Sequence, residues 1–233
     1  MKLRNITIGN TRIGNNQKPY LVAEISANHA GSLKRAIETI YQAKKSGADA
    51  VKLQTYTPDT MTIKSNKRDF KIKSGLWKGN TLYDLYKIAH TPYSWHKELF
   101  EYSKKIGITC FSTPFDFSAV DLLEDLKTPA YKIASFEITD LELIKYVAKK
   151  NKPVIISTGM ANLSEINDAI NVCKKNGNKK IIILHCVSSY PAVINQSNVY
   201  TIVDLYKKFG LNIGLSDHTL SNSVACTSIA FGA

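Results

Sequence analysis

Long apolar runs are missing from this sequence. No stretch of its 233 residues approaches the roughly 20 apolar residues that a membrane helix needs. The first twenty, MKLRNITIGNTRIGNNQKPY, have neither a long apolar core nor a clear cleavage site. Neither a membrane span nor a secretory leader is therefore expected. Cysteine is scarce as well: Cys110, Cys173, Cys186 and Cys226 lie far apart and form no CxxC pair. That spacing argues against a disulfide framework or a metal cluster and for free thiols in a reducing cytoplasm. There is no Walker loop, no GxGxxG, and no HxH or HExxH spacing, so nucleotide and zinc sites of those kinds have no support. Acidic residues are outnumbered, with 19 Asp+Glu against 31 Lys+Arg and a formal charge of +12. The lysines are dispersed rather than massed. This speaks against a nucleic-acid partner and fits a positive potential that attracts a small anionic substrate.

What is present is a repeated unit. KKSGADAVKLQT from Lys44, KKIGITCFSTP from Lys104, KKNKPVIISTG from Lys149, KKNGNKKIIILHC from Lys174 and KKFGLNIGLSDH from Lys207 share one grammar. A lysine pair suits the negative end of a helix dipole. In four of the five units a glycine two residues later suits a left-handed C-cap. The continuous apolar run that follows reads as a parallel strand covered on both faces. Apolar residues at helical spacing precede the units over 33–46, 94–106, 140–150, 164–176 and 198–209, with Ser32, Ser94, Asp140 and Ser164 as N-caps. A short helix is expected over 118–126 and another over 220–231. Strands are expected at 21–26, 50–55, 108–113, 130–135, 154–158, 181–187 and 213–217.

Strictly alternating strands and helices predict a parallel α/β architecture. Polar residues gather at nearly every strand's C-terminal end, as on the active rim of a (β/α)8 TIM-type barrel, rather than at one switch point. The expected fold is thus an α/β barrel over 19–233. Residues 1–18 form an N-terminal β-hairpin cap that plugs its bottom. Seven strands are counted where closure takes eight. The barrel is therefore expected to be incomplete, with the eighth strand missing after the helix that ends the sequence.

The strand ends carry the candidate chemistry. Lys52 and Lys132 lie in otherwise apolar strands, where a lysine needs an anion: a bound phosphate or carboxylate, or a salt bridge to Glu24 or Glu137. Thr113, Ser135, Ser157 and Ser216 add hydroxyl donors, and the set makes a reasonable phosphate cradle. Glu24 and Glu137 are candidate general bases or sugar ligands, or simply the lysines' partners. His218, beside Asp217, is a candidate metal ligand without a recognisable partner set. His29 either lines the rim or orders a loop, while His90 and His96 read as structural. A Cys186–His185 nucleophile is disfavoured, because strand neighbours point to opposite faces. The aromatic stretch 74–100 reads as an insertion, partly amphipathic helix, that packs outside the barrel or forms a lid or dimer contact.

Taken together, AEISANHAGSL, GADAVKLQTYTPDTM, CFSTPFD, YKIASFE, VIISTGM, SSYP and GLSDHT resemble the sialic-acid synthase family over residues 19–233, in order. SGLWKGNTLYDLY followed by HTPYSWH resembles its pseudaminic acid branch. The resemblance implies condensation of phosphoenolpyruvate with a 6-deoxy-diacetamido hexose. Carbon 3 attacks the aldehyde, water adds at carbon 2, and phosphate leaves by C–O cleavage to give a nine-carbon 2-keto acid. It implies that Lys52, Thr113, Lys132, Ser135, Ser157 and Ser216 hold phosphoenolpyruvate. Glu137, Ser188 and Tyr190 meet the acylamino sugar. Gln54 lies near a metal-bound water, Glu24 is a carboxylate in the reacting zone, and His218 is one ligand of a Mn2+ or Mg2+ ion. Ser188 stands where sialic-acid synthases proper tend to carry Asn. The resemblance also implies a second metal-binding His on the eighth strand, a C-terminal antifreeze-like domain and a homodimer. The strand and that domain are expected to be absent here, and the isolated 233 residues to be poorly stable and nearly inactive. The alternatives are N-acetylneuraminate or legionaminic acid synthesis, and a non-catalytic anion- or sugar-binding barrel fragment.

Overall fold

The computed structural model describes residues 5–14, 16–73 and 77–233. Residues 1–4 and 15 of the expected hairpin cap, and 74–76 at the start of the aromatic stretch, lie outside the described residues. The chain divides into two compact units, 21–128 and 129–233, the latter joined by residues 1–20.

The hairpin is formed by β1 (Ile6–Ile8) and β2 (Thr11–Ile13), antiparallel with Ile6 opposite Ile13. Ile6 and Ile8 are buried and alternate with exposed Thr7, the half-buried strand pattern. Ile6 lines a cleft with Ile181 and Asn212, which begin two later strands. The hairpin thus covers strand N-termini, the end opposite the polar residues.

The 21–128 unit runs β3 (Val22–Glu24), α1 (Leu33–Lys45), β4 (Ala50–Thr55), α2 (Pro58–Met61), α3 (Leu82–Ala89), α4 (Tyr93–Lys105), β5 (Thr109–Pro114) and α5 (Phe117–Asp125). Strands β3, β4 and β5 are parallel in that order. Parity along β4 decides which side chains are available for chemistry. Val51 and Leu53 enter a core with Ile40, Leu99 and Cys110, which faces α1 and α4. Lys52 and Gln54 therefore point to the other face of the sheet.

The 129–233 unit continues with β6 (Tyr131–Ile133), α6 (Leu141–Lys149), β7 (Val154–Ser157), α7 (Leu163–Lys175), β8 (Ile181–Cys186), α8 (Thr201–Phe209), β9 (Asn212–Ser216) and α9 (Asn222–Ala230). Strands β6 to β9 are parallel in that order. The register sets Lys132 beside Ile155, Ser157 beside Leu184 and Cys186 beside Ser216. With the two-residue period of a strand, Lys132, Ser157, Cys186 and Ser216 share one face.

The repeated unit folds as its grammar dictates. Gly47, Gly107, Gly177 and Gly210 all take positive φ just past their helices. In the unit that lacks the glycine, from Lys149, Asn151 does the same at φ 52°. Three of the glycine turns close with a second backbone bond, Ala48 to Ala43, Ile108 to Ser103 and Asn178 to Cys173. Ser32 and Asp140 cap α1 and α6 as expected. Two caps are corrected. Ser94 lies inside α4, whose N-cap is Pro92, and Ser164 lies inside α7, where Asn162 caps in a reciprocal box with Glu165. The described part of the aromatic stretch forms two helices, α3 and α4, broken at Thr91-Pro92. No helix among the described residues is long and apolar enough to cross a membrane.

Candidate active site

In the 21–128 unit, Glu24 ends β3 directly opposite Lys52 of β4. Their side chains form an ion pair, Lys52 Nζ to Glu24 Oε2. Nζ also donates to Thr113 Oγ1 at 3.2 Å. Glu24 Oε1 accepts from the Ser26 N–H at 2.9 Å. The lysine is nearly buried while the carboxylate is largely open, with side-chain exposures of 11% and 42%. An entering anion would therefore compete with a solvated partner for a cation that is already desolvated. Of the two sequence readings of Lys52, the salt bridge to Glu24 is present, and Gln54 and Thr113 face each other in register beside it.

Two histidines of this unit are structural. Pro92 O can only accept, so His96 Nδ1 carries the proton at 3.0 Å, and Nε2 accepts from Thr55 Oγ1 at 2.8 Å. Thr55 Oγ1 in turn contacts Ser112 Oγ at 2.6 Å. This network lies on the helix-facing side of the sheet, and burial depresses His96 to about 4. His29 accepts from the Gly31 N–H, contacts Thr91 Oγ1 and meets the Trp95 ring edge-on. It orders the loop after β3.

The 129–233 unit holds a second cluster. Lys132, Ser135 and Ser157 are all buried, Ser157 to 1% exposure. Ser157 Oγ and Glu137 Oε2 are buried without a hydrogen-bond partner. A buried polar atom left without a partner is costly, and such atoms mark places where a ligand completes the structure. Burial, opposed by the Lys132 charge, pushes the Glu137 carboxyl up to about 7. Ser135 Oγ accepts from the Gly159 N–H at 3.1 Å, which leaves its own O–H to donate elsewhere.

Cys186 and His218 meet within this cluster. The reasoning that set Cys186 apart from His185 holds, since His185 turns away and contacts Ser197 O at 2.6 Å. The partner comes instead from beyond β9: His218 Nδ1 stands 3.8 Å from Cys186 Sγ and 3.0 Å from Val187 O. The carbonyl fixes the proton on Nδ1. Burial opposes the thiolate, but His218 and the Ser135 and Ser188 hydroxyls outweigh it and bring Cys186 down to about 7. His218 rises correspondingly, chiefly through Cys186. The Tyr190 ring packs against the imidazole at 4.3 Å between centroids. Sequence reading missed this pair; only the Cys186–Ser216 register reveals it.

A divalent metal ordinarily takes at least three protein donors or completes its shell with water. Among the described residues no group of three His, Cys, Asp or Glu side chains is arranged to hold one. His218 offers Nε2 alone. With His218 as one donor, the rest of a coordination shell would come from water or from further protein groups.

Parallel strands that alternate with helices and carry polar side chains at their C-terminal ends define an α/β domain. Comparison with known proteins narrows the class: the chain matches the NeuB family over residues 39–233 and belongs to it. It is 47% identical over 217 residues to the pseudaminic acid synthase of Helicobacter pylori, covering 93% of this chain and 64% of that protein. It is 45% identical over 225 residues to the pseudaminic acid synthase of Campylobacter jejuni, covering 95% of this chain and 66% of that protein. The chain thus spans just under two thirds of the length of these curated relatives. A crystal structure of the N-acetylneuraminic acid (sialic acid) synthetase of Leptospira borgpetersenii serovar Hardjo-bovis, in complex with citrate, matches with a TM-score of 0.89 at 32% identity. That match covers 100% of this chain and 76% of the other. The TIM-barrel type of fold expected from the sequence, with its N-terminal hairpin, is thereby established.

Proposed function

We propose that this chain carries the catalytic domain of a pseudaminic acid synthase. Phosphoenolpyruvate condenses with a 6-deoxy-diacetamido hexose, water is consumed, phosphate is released, and a nine-carbon 2-keto acid is formed. The observation that carries the reading is a buried cluster in the 129–233 unit: Ser157 Oγ and Glu137 Oε2 lack a hydrogen-bond partner, and the buried Lys132 charge acts on a Glu137 carboxyl that burial pushes up to about 7. A ligand with polar groups would complete the Ser157 and Glu137 atoms. The identity of 45–47% to pseudaminic acid synthases supplies the choice of substrates, and the citrate held by a solved relative accords with an anionic ligand.

Within the 129–233 unit, Lys132, Ser135, Ser157 and Ser216 would hold phosphoenolpyruvate, while Glu137, Ser188 and Tyr190 would meet the sugar. Within the 21–128 unit, Lys52 would release Glu24 and, with Thr113, bind an anionic group. Glu24 and Gln54 would then stand free for proton and water positioning. The proposal extends to a Mn2+ or Mg2+ requirement with His218 as one ligand, and to a homodimer in the protein's whole length. The test is phosphoenolpyruvate binding by calorimetry. Lys132→Met should abolish it, and Ser157→Ala should weaken it about tenfold, the value of one hydrogen bond to a charged group. Unchanged binding in Lys132→Met would overturn the reading.

A further inference from the structure

Gly159 follows β7 by two residues, and its φ is not positive, so backbone freedom is not why glycine stands there. Space is. A Cβ built on Gly159 would overlap Ser188 Oγ outright and would stand 3.1 Å from both Cys186 Sγ and Ser135 Oγ. Three side chains from two segments, Ser135 after β6 and Cys186 with Ser188 at the end of β8, thus close on the one position that has none. The Gly159 N–H also donates to Ser135 Oγ at 3.1 Å. Close approach of other groups to a backbone is a standard use of glycine.

We propose that Gly159 is a positioning residue that sets where the Ser135 and Ser188 hydroxyls stand, and that positions 159 and 188 form a coupled pair in which a side chain at 159 forces the Ser188 hydroxyl out of its present position. The inference rests on the proposed function for the roles of the two serines: Ser135 toward phosphoenolpyruvate, Ser188 toward the sugar. It goes beyond that reading by making the sugar contact depend on a residue that touches neither substrate. The overlap with Ser188 cannot be relieved without moving it, whereas 3.1 Å to Ser135 yields with a shift of a few tenths of an ångström. An added methyl group therefore disturbs the sugar side more than the phosphoenolpyruvate side.

The test is a double-mutant cycle in the full-length protein with Gly159→Ala, Ser188→Gly and the pair together. Melting temperature and steady-state constants for both substrates are read on each. Gly159→Ala should raise KM for the sugar at least tenfold and KM for phosphoenolpyruvate by less than threefold. Adding Ser188→Gly should return the melting temperature and the phosphoenolpyruvate KM to near the parent's, with the sugar KM no worse than in Ser188→Gly alone. Additive effects, equal changes in both KM values, or a melting temperature that Ser188→Gly does not restore would overturn the proposal. If the parent turns over no sugar, the proposed function fails. The coupling itself is still decided by melting temperature, where non-additivity supports it and additivity refutes it.

Discussion

Replacing Glu137 by Gln should make this protein more stable at alkaline pH and change it little below pH 4.5. The carboxyl is largely buried, Oε2 has no partner, and burial raises it from 4.5 to about 7 despite the Lys132 charge. Between these two values the folded chain keeps a proton that the unfolded chain has released. Stability therefore falls as pH rises through that window, because the native state binds more protons. At about 1.4 kcal/mol per pH unit, the loss attributable to this one carboxyl reaches at most about 3 kcal/mol by pH 8. Gln keeps the shape of the protonated acid and has nothing to release. Urea denaturation of parent and variant at pH 5 and pH 8 measures it. The variant should be ahead by about 1 kcal/mol or less at pH 5 and by up to about 3 kcal/mol at pH 8. A stability difference that is the same at both values would refute the account of Glu137 as a desolvated acid.

Two further outcomes separate architecture from chemistry. Asn162→Ala removes the side-chain oxygen that accepts from the Ser164 and Glu165 N–H groups, while the Glu165 carboxylate still accepts from the N–H of residue 162, and it should cost about 1 kcal/mol of stability by urea denaturation, with phosphoenolpyruvate affinity unchanged. His96→Leu strips Thr55 and the Pro92 carbonyl of their buried partner and should cost about 1–3 kcal/mol at pH 7. His96 is depressed to about 4, so the unfolded chain binds the extra proton as pH falls from 6.5 toward 4. The parent should lose stability there, and the gap between parent and variant should narrow.

The strands were legible because parallel strands are written as apolar runs. The helix ends were legible because a C-cap is a local device: the left-handed turn at Gly47, Gly107, Gly177 and Gly210 needs no information from elsewhere in the chain. The α7 cap is equally local, since Asn162 with Glu165 three residues on is a capping box, and Ser164 is a good N-cap residue that falls inside the helix. Strand β6 came out shorter than expected because the chain turns into a single helical turn at Ser135–Glu137, bringing both site residues off the sheet. That Lys52 stands apart from the core follows from the parity of β4, once Val51 and Leu53 are seen to face α1 and α4. What could not be read from the sequence depends on register between strands. Cys186 meets His218 only because Cys186 pairs with Ser216, and Thr55, Ser112 and His96 meet only once β4, β5 and α4 are packed. Gly159 lay in plain sight within VIISTGM, but the crowding that explains it comes from Ser135, Cys186 and Ser188.

The central claim is chemical, and phosphate release from phosphoenolpyruvate tests it most directly. Protein spanning the relatives' full length, supplied with Mn2+, is offered the 6-deoxy-diacetamido-altrose or N-acetylmannosamine. Release with the altrose sugar and not with N-acetylmannosamine is the predicted result. Release with N-acetylmannosamine alone, or with neither sugar, would contradict it.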